Sequence, residues 1–187
     1  AGFGVTVTGT TTLAGSGGTI TLSGTFDAAN DVTLGTVTGS GKSLSITAAG
    51  GDVSVGQIGA SGSELAGVTI SATGGTITLN NTVNTTGAQS YTGATTLKNN
   101  LTSTTDKIAI TGAATLGATV TLASGGGAGD DITFSSTITG GGFGLTLNAG
   151  ASGAISIGGD ATGLASLSAT GTTASVQKVT TTGAQSY

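Results

Sequence analysis

The chain has 187 residues, of which only 6% are charged and 37 are glycine, and it contains no Pro, Cys, Met, Trp or His. A formal net charge of −4, with all four cations lysine, removes the electrostatic basis for binding a phosphate backbone. The lack of cysteine excludes a disulfide framework and a thiolate metal site. No run approaches the roughly 18 apolar residues of a membrane span, and positive mean hydropathy with so little charge argues against disorder.

Apolar residues alternate with Thr, Ser or Gly from one end to the other. In chain order the expected strands are GVTVTG (Val5, Val7), TITL (Ile20, Leu22), DVTL (Val32, Leu34), LSI (Leu44, Ile46) and DVSV (Val53, Val55). The series continues with KIAI (Ile108, Ile110), TVTL (Val120, Leu122), DITF (Ile132, Phe134), LTL (Leu145, Leu147) and AISI (Ile155, Ile157). A period of two means strands with one face buried, and no stretch holds the three-and-four spacing of a helix. Alternation slips once, in LASLSA (Leu164, Leu167), where a bend or bulge is expected rather than a helix.

The heptamer TTGAQSY occurs at Thr85–Tyr91 and again at Thr181–Tyr187, 96 residues later. A longer phrase, NDVTLGTVTGSGKSLSIT from Asn30, has a counterpart in DDITFSSTITGGGFGLTLN from Asp130, with polar and apolar positions in phase. Internal repetition of this kind signals a stacked architecture. The expectation is two units of about 96 residues, 1–91 (divergent) and 92–187, in one continuous solenoid, with the heptamer marking the same corner in each. The second copy breaks off inside the repeat phrase, as in a stretch cut from a longer tandem array.

Two all-β architectures compete. A sandwich needs large side chains to fill about 10 Å between its sheets, and aromatics are only 3% here. A parallel β-helix (β-solenoid) has a narrow interior that Val, Ile, Leu, Ala and Thr fill, with Gly at tight corners. The solenoid is the fold expected. With about 20–24 residues per coil and a rise of about 4.8 Å, the chain makes roughly 8–9 coils and a rod about 40 Å long. Asn80–Asn81 and Asn99–Asn100 are expected at corners, as stacked amides or as ordinary turn residues.

The phrases TTGAQSYTGATTL, DITFSSTITGGGFGLTLNAG and LASLSATG resemble the β-strand repeats of very large bacterial exoproteins, related to the filamentous haemagglutinin-like adhesins. The resemblance covers nearly all of the second unit and, more loosely, the first. It implies a right-handed parallel β-helix exported to the cell surface as stalk, adhesin or matrix fibre. The Pro-containing secretion motif found at the amino end of some members has no counterpart, and neither end looks like a signal peptide, so the leader of an exported parent is expected outside this stretch.

Candidate chemistry is sparse. GGAGDDITF (Gly126–Phe134) approaches a calcium-binding nonapeptide, but Thr133 stands where a large apolar residue is needed and no second copy stacks on it. Calcium needs about 6–8 oxygens, so an ordinary acidic corner is preferred for Asp130 and Asp131. GSGKS (Gly39–Ser43) has the tail of a phosphate loop, but Thr36 occupies the position of its first glycine and no helix follows, leaving a surface turn. Adjacent Asp130 and Asp131 would point to opposite sides if both lay in an extended strand, and Asp27, Asp31, Asp52, Glu64 and Asp160 look scattered over corners. An acid–base pair is thus missing, and an enzyme is not expected.

The Thr-x-Thr triplets (Thr6/Thr8, Thr19/Thr21, Thr36/Thr38, Thr76/Thr78, Thr119/Thr121, Thr137/Thr139) suggest hydroxyl ladders of an ice-binding kind, but their uneven spacing and the β propensity of Thr favour a neutral hydrated face. Asn80, Asn84 and Asn100 head glycosylation sequons of the kind that chance supplies in a Thr- and Asn-rich chain. No catalytic, cofactor-binding or metal-ligating residue is assigned. The function expected is a structural and adhesive module of a giant secreted or cell-surface bacterial protein, with a self-assembling filament or sheath subunit as the alternative. Ice-binding and calcium-binding solenoids rank below both. Expected partners are copies of itself or adjacent repeats, head to tail, and a cell-surface or matrix ligand; no nucleic acid is expected, and no membrane span in this segment.

Overall fold

A computed structural model describes residues 31–187 and the backbone of three earlier strands, Val5–Val7, Thr11–Thr12 and Thr19–Gly24. Asp27 and Thr8 lie outside the described residues, and the side chains of the other expected positions before Asp31 are not described. Among the described residues there is no helix, and every strand pairing is parallel. Residues 31–187 wind as a β-solenoid of about 7 turns, with about 21 residues per turn.

Three faces form the wall. Face 1 contains Thr19–Gly24, Ser43–Ala48, the front of Gly67–Leu79, the front of Gln89–Leu97, Ile108–Thr111, Ile132–Phe134, Ala154–Ile157 and Thr173–Val176. Face 2 contains Val5–Val7, Val32–Leu34, Val53–Val55, the back halves of the same two long strands, Ala114–Leu116, Ile138–Thr139, Ala161–Leu164 and Val179–Thr181. Face 3 contains Thr11–Thr12, Val37–Thr38, a bridge at Ile58, Val83–Thr85, Leu101–Ser103, Val120–Ala123, Gly144–Asn148, Ser166–Thr170 and Gln185–Ser186.

The alternating pattern dictates the packing. Successive side chains in a strand point to opposite sides, so in VTL or AISI the aliphatic residues enter the solenoid and the hydroxyls leave it. Parallel in-register pairing then stacks like on like. One inward column on face 1 runs Leu44, Val68, Gln89, Ile108, Ile132 and Ile155, and the next runs Ile46, Ile70, Tyr91, Ile110, Phe134 and Ile157. Nearly all are fully buried in one continuous core, each aliphatic contributing about 1.5–3 kcal/mol. LASLSA turns the corner from face 2 to face 3, burying Leu164 and Leu167 on either side, with a register irregularity between Ala161 and Leu164.

The 96-residue unit is not the structural period. On face 1 the coils step by 19 to 24 residues, as in Gln89 to Ile108 and Ile108 to Ile132. The expected unit boundary after Tyr91 falls inside the strand Gln89–Leu97. Nor do the two heptamers turn the same corner: Thr85–Gln89 leads from face 3 to face 1, whereas Thr181–Gln185 leads from face 2 to face 3. Val32, Leu34, Ile132 and Phe134 are all buried, with Thr33 and Thr133 turned outward as expected, yet the first pair lies on face 2 and the second on face 1. Both repeated phrases are thus displaced by one face, because their spacing stops one side short of a whole number of coils.

Candidate functional site

The outward side chains form ranks that the triplets do not reveal. On face 2 the central outward positions are Thr33, Ser54, Thr78, Thr96, Thr115, Thr139 and Thr162, in unbroken register. On face 1 the corresponding rank is Ser45, Thr69, Ser90, Ala109, Thr133, Ser156 and Ser175. Thr76/Thr78 and Thr137/Thr139 lie on face 2, whereas Thr36/Thr38 and Thr119/Thr121 lead into face 3. Hydroxyls therefore align because all but one of these strands (Ala109 on face 1) contribute one, not because the triplets stack. A shallow open trough flanks the face 1 rank, lined by Ser43, Ser45, Gly67, Thr69 and Ala88. No charged side chain lines it.

Three corner carboxylates carry out a common structural task. Asp31 Oδ1 accepts the Asp52 backbone N–H (2.9 Å), and Asp52 Oδ1 accepts that of Thr76 (2.7 Å) one coil further on. Asp131 Oδ1 does the same for Ala154 (2.8 Å). Each Asp immediately precedes a strand and continues the inter-coil ladder past its end with a charge-assisted hydrogen bond. Asp130 instead closes its own loop, its Oδ2 accepting from Gly127 N–H at 2.7 Å. Glu64 accepts from Gly62, and Asp160 sits exposed ahead of Ala161. The structure brings no three of the acidic residues together among the described residues. Excess calcium is expected to leave the thermal midpoint where chelator leaves it, and a clear rise with calcium, as ligand linkage requires, would overturn this assignment.

GSGKS forms the corner from face 3 to face 1: Lys42 N–H donates to Gly39 C=O at 2.9 Å, and a strand, Ser43–Ala48, follows. The asparagines do stack, for one step. Asn99 Nδ2 donates to Asn81 Oδ1 (3.4 Å), while Asn80 accepts from Lys98 Nζ (3.0 Å) and donates to Ser54 Oγ (2.9 Å). All three sequon amides take part in coil-to-coil hydrogen bonds: Asn80 as above, Asn84 to Gly59 C=O and Asn100 from Thr121 N–H.

The sequence reading missed the buried polar cluster at the corner from face 3 to face 1. Thr85, Gln89, Tyr91 and Ser103 are all within 1% of complete burial. Tyr91 Oη donates to Gln89 Oε1 (3.0 Å), and Gln89 Nε2 donates to Thr85 Oγ1 (3.1 Å) and Thr102 C=O (2.9 Å). Thr85 and Ser103 hydroxyls both donate to Gly87 C=O. Burial pushes the Tyr91 phenol far above its ordinary range, so it remains a donor. The signal was Gln89 itself, a polar residue where alternation asks for an aliphatic. No protein family, curated protein or solved structure matches this chain.

Proposed function

We propose that the chain is a rigid rod module with a structural and adhesive role, part of a large secreted or cell-surface bacterial protein. The observation that supports this reading is the arrangement of the polar chemistry. Hydroxyls are spread in ranks along the rod, and Asp31, Asp52 and Asp131 are engaged in holding coil to coil. Binding to a cell-surface or matrix ligand would then be distributed over a face. Coils that contact only their neighbours add stability roughly linearly, which suits an extended stalk. The resemblance to haemagglutinin-like exoproteins agrees with this role. Among the described residues no helix is long and apolar enough to cross a membrane.

A second reading, a self-assembling filament subunit, is favoured by the uniformly parallel, in-register stacking of the coils. A second copy stacked head to tail could continue the same ladders. Electron microscopy of the chain and of two- and three-copy fusions tests the rod. Length is expected to grow by about 40 Å per copy at constant width, and fusions that stay compact would overturn the reading. Light scattering over a concentration series separates the alternatives. Concentration-dependent growth of the single chain supports the filament; monomers that bind immobilised cells or matrix support the adhesin.

A further inference from the structure

We infer that TTGAQSY is a portable corner clamp whose buried copy pins the register of the coils around it. The first support is that the two copies make the same internal bonds at different corners. In the second copy Thr181 Oγ1 donates to Gly183 C=O (2.7 Å), Gln185 Nε2 to Thr181 Oγ1 (3.3 Å) and Tyr187 Oη to Gln185 Oε1 (2.8 Å). These reproduce the bonds of Thr85, Gln89 and Tyr91 residue for residue, although one copy is buried between coils and the other lies on an exposed coil. The relay is therefore encoded within seven residues and does not depend on which faces it joins.

The second support is what the buried copy adds. Gln89 occupies a column between Val68 and Ile108, and Tyr91 one between Ile70 and Ile110. Columns of Val, Ile and Leu are nearly degenerate: a slip of two residues keeps inside and outside correct and exchanges one aliphatic for another. Gln89 is not interchangeable in this way. One of its amide donors reaches Thr102 C=O on the following coil, and Ser103 of that coil shares Gly87 C=O with Thr85. A slip of the Leu101–Ser103 strand would take away the Thr102 acceptor of the buried amide and the Gly87 partner of Ser103, and buried polar groups left short of partners cost about 1–3 kcal/mol. A buried polar group that fixes register while adding little stability is an established kind of specificity device.

The chain has no cysteine, so two introduced thiols report register directly. Asn84 pairs in register with Thr102, the residue whose carbonyl Gln89 holds, and Thr104 lies two residues beyond. In-register neighbours are about 4.8 Å apart at Cα, within disulfide range, and the slipped pair is about 8 Å apart, outside it. In the otherwise native chain, Asn84→Cys with Thr102→Cys should oxidise and Asn84→Cys with Thr104→Cys should not. In a Gln89→Leu/Tyr91→Phe background, sheet content is expected to persist while the Asn84/Thr104 disulfide appears and the Asn84/Thr102 yield falls. The matched Gln185→Leu/Tyr187→Phe changes should leave both yields as they were. A relay-free chain that forms only the in-register disulfide would overturn the inference, as would an equal effect of the exposed copy. If the double variant does not fold, Gln89→Met with Tyr91→Phe, closer in volume to the native pair, decides: an off-register product supports the clamp and its absence refutes it.

Discussion

Replacing Phe134 with alanine is expected to destabilise the chain by about 3–5 kcal/mol. Phe134 is fully buried, stacked between Ile110 below and Ile157 above. Its neighbours are held by backbone ladders on both sides, so they have little freedom to move into the space that the ring leaves. A poorly collapsing site belongs at the upper end of the large-to-small range, because the cavity adds to the lost transfer energy. The adjacent outward residue supplies the control: Thr133→Ala on the same strand should stay within about 0.5 kcal/mol. Urea unfolding of both variants measures the contrast. A loss below about 1 kcal/mol for Phe134→Ala would mean that the ring is not the interior element that this register makes it.

The same strand illustrates how much could be read in advance. Alternation in DITF established that Ile132 and Phe134 share a side, and the scarcity of aromatics established that the interior is narrow. Neither could say which of three faces the strand joins, because the faces make the same demand: aliphatic inward, hydroxyl outward, small residues at the turn. The phrase beginning at Asp31 runs through faces 2, 3 and 1, and its counterpart beginning at Asp131 through faces 1, 2 and 3. A text that fits any face repeats without regard to the coil, which is why the 96-residue spacing misled. The carboxylates were hidden for a different reason. Asp52 and Asp131 act on N–H groups 24 and 23 residues away, a distance set only once the coil lengths are known. Removing one such ladder cap, as in Asp131→Ala, is expected to cost about 1.5–3 kcal/mol, the range for hydrogen bonds to charged groups.

The other large effect concerns a corner where no side chain fits. Gly93 and Gly112 follow one another along the turn from face 1 to face 2, with φ of 129° and 127°. A Cβ on Gly93 would lie 2.3 Å from the Ala72 carbonyl oxygen, and one on Gly112 would lie 2.4 Å from that of Gly93. The obstructing atoms are backbone, so no side-chain rotation relieves the clash. Relief requires shifting a peptide whose neighbours pair with the coils on either side. Gly93→Ala therefore combines conformational strain with a contact that works against the stacking itself, and a loss on the order of 3 kcal/mol is expected. Gly41 separates the two contributions: its φ is also positive, at 68°, but nothing lies within 4 Å of its added Cβ. Gly41→Ala should show the conformational cost alone, about 1–2 kcal/mol. Since each coil contacts only its neighbours, the Gly93 defect should remain local. Hydrogen exchange is expected to lose protection in Gly67–Leu79, Gln89–Leu97 and Ile108–Thr111 while Ala154–Ile157 keeps it. A Gly93→Ala chain no less stable than Gly41→Ala would show that the coils can separate at this corner, and that the close approach of one turn to the next is not what holds the rod in shape.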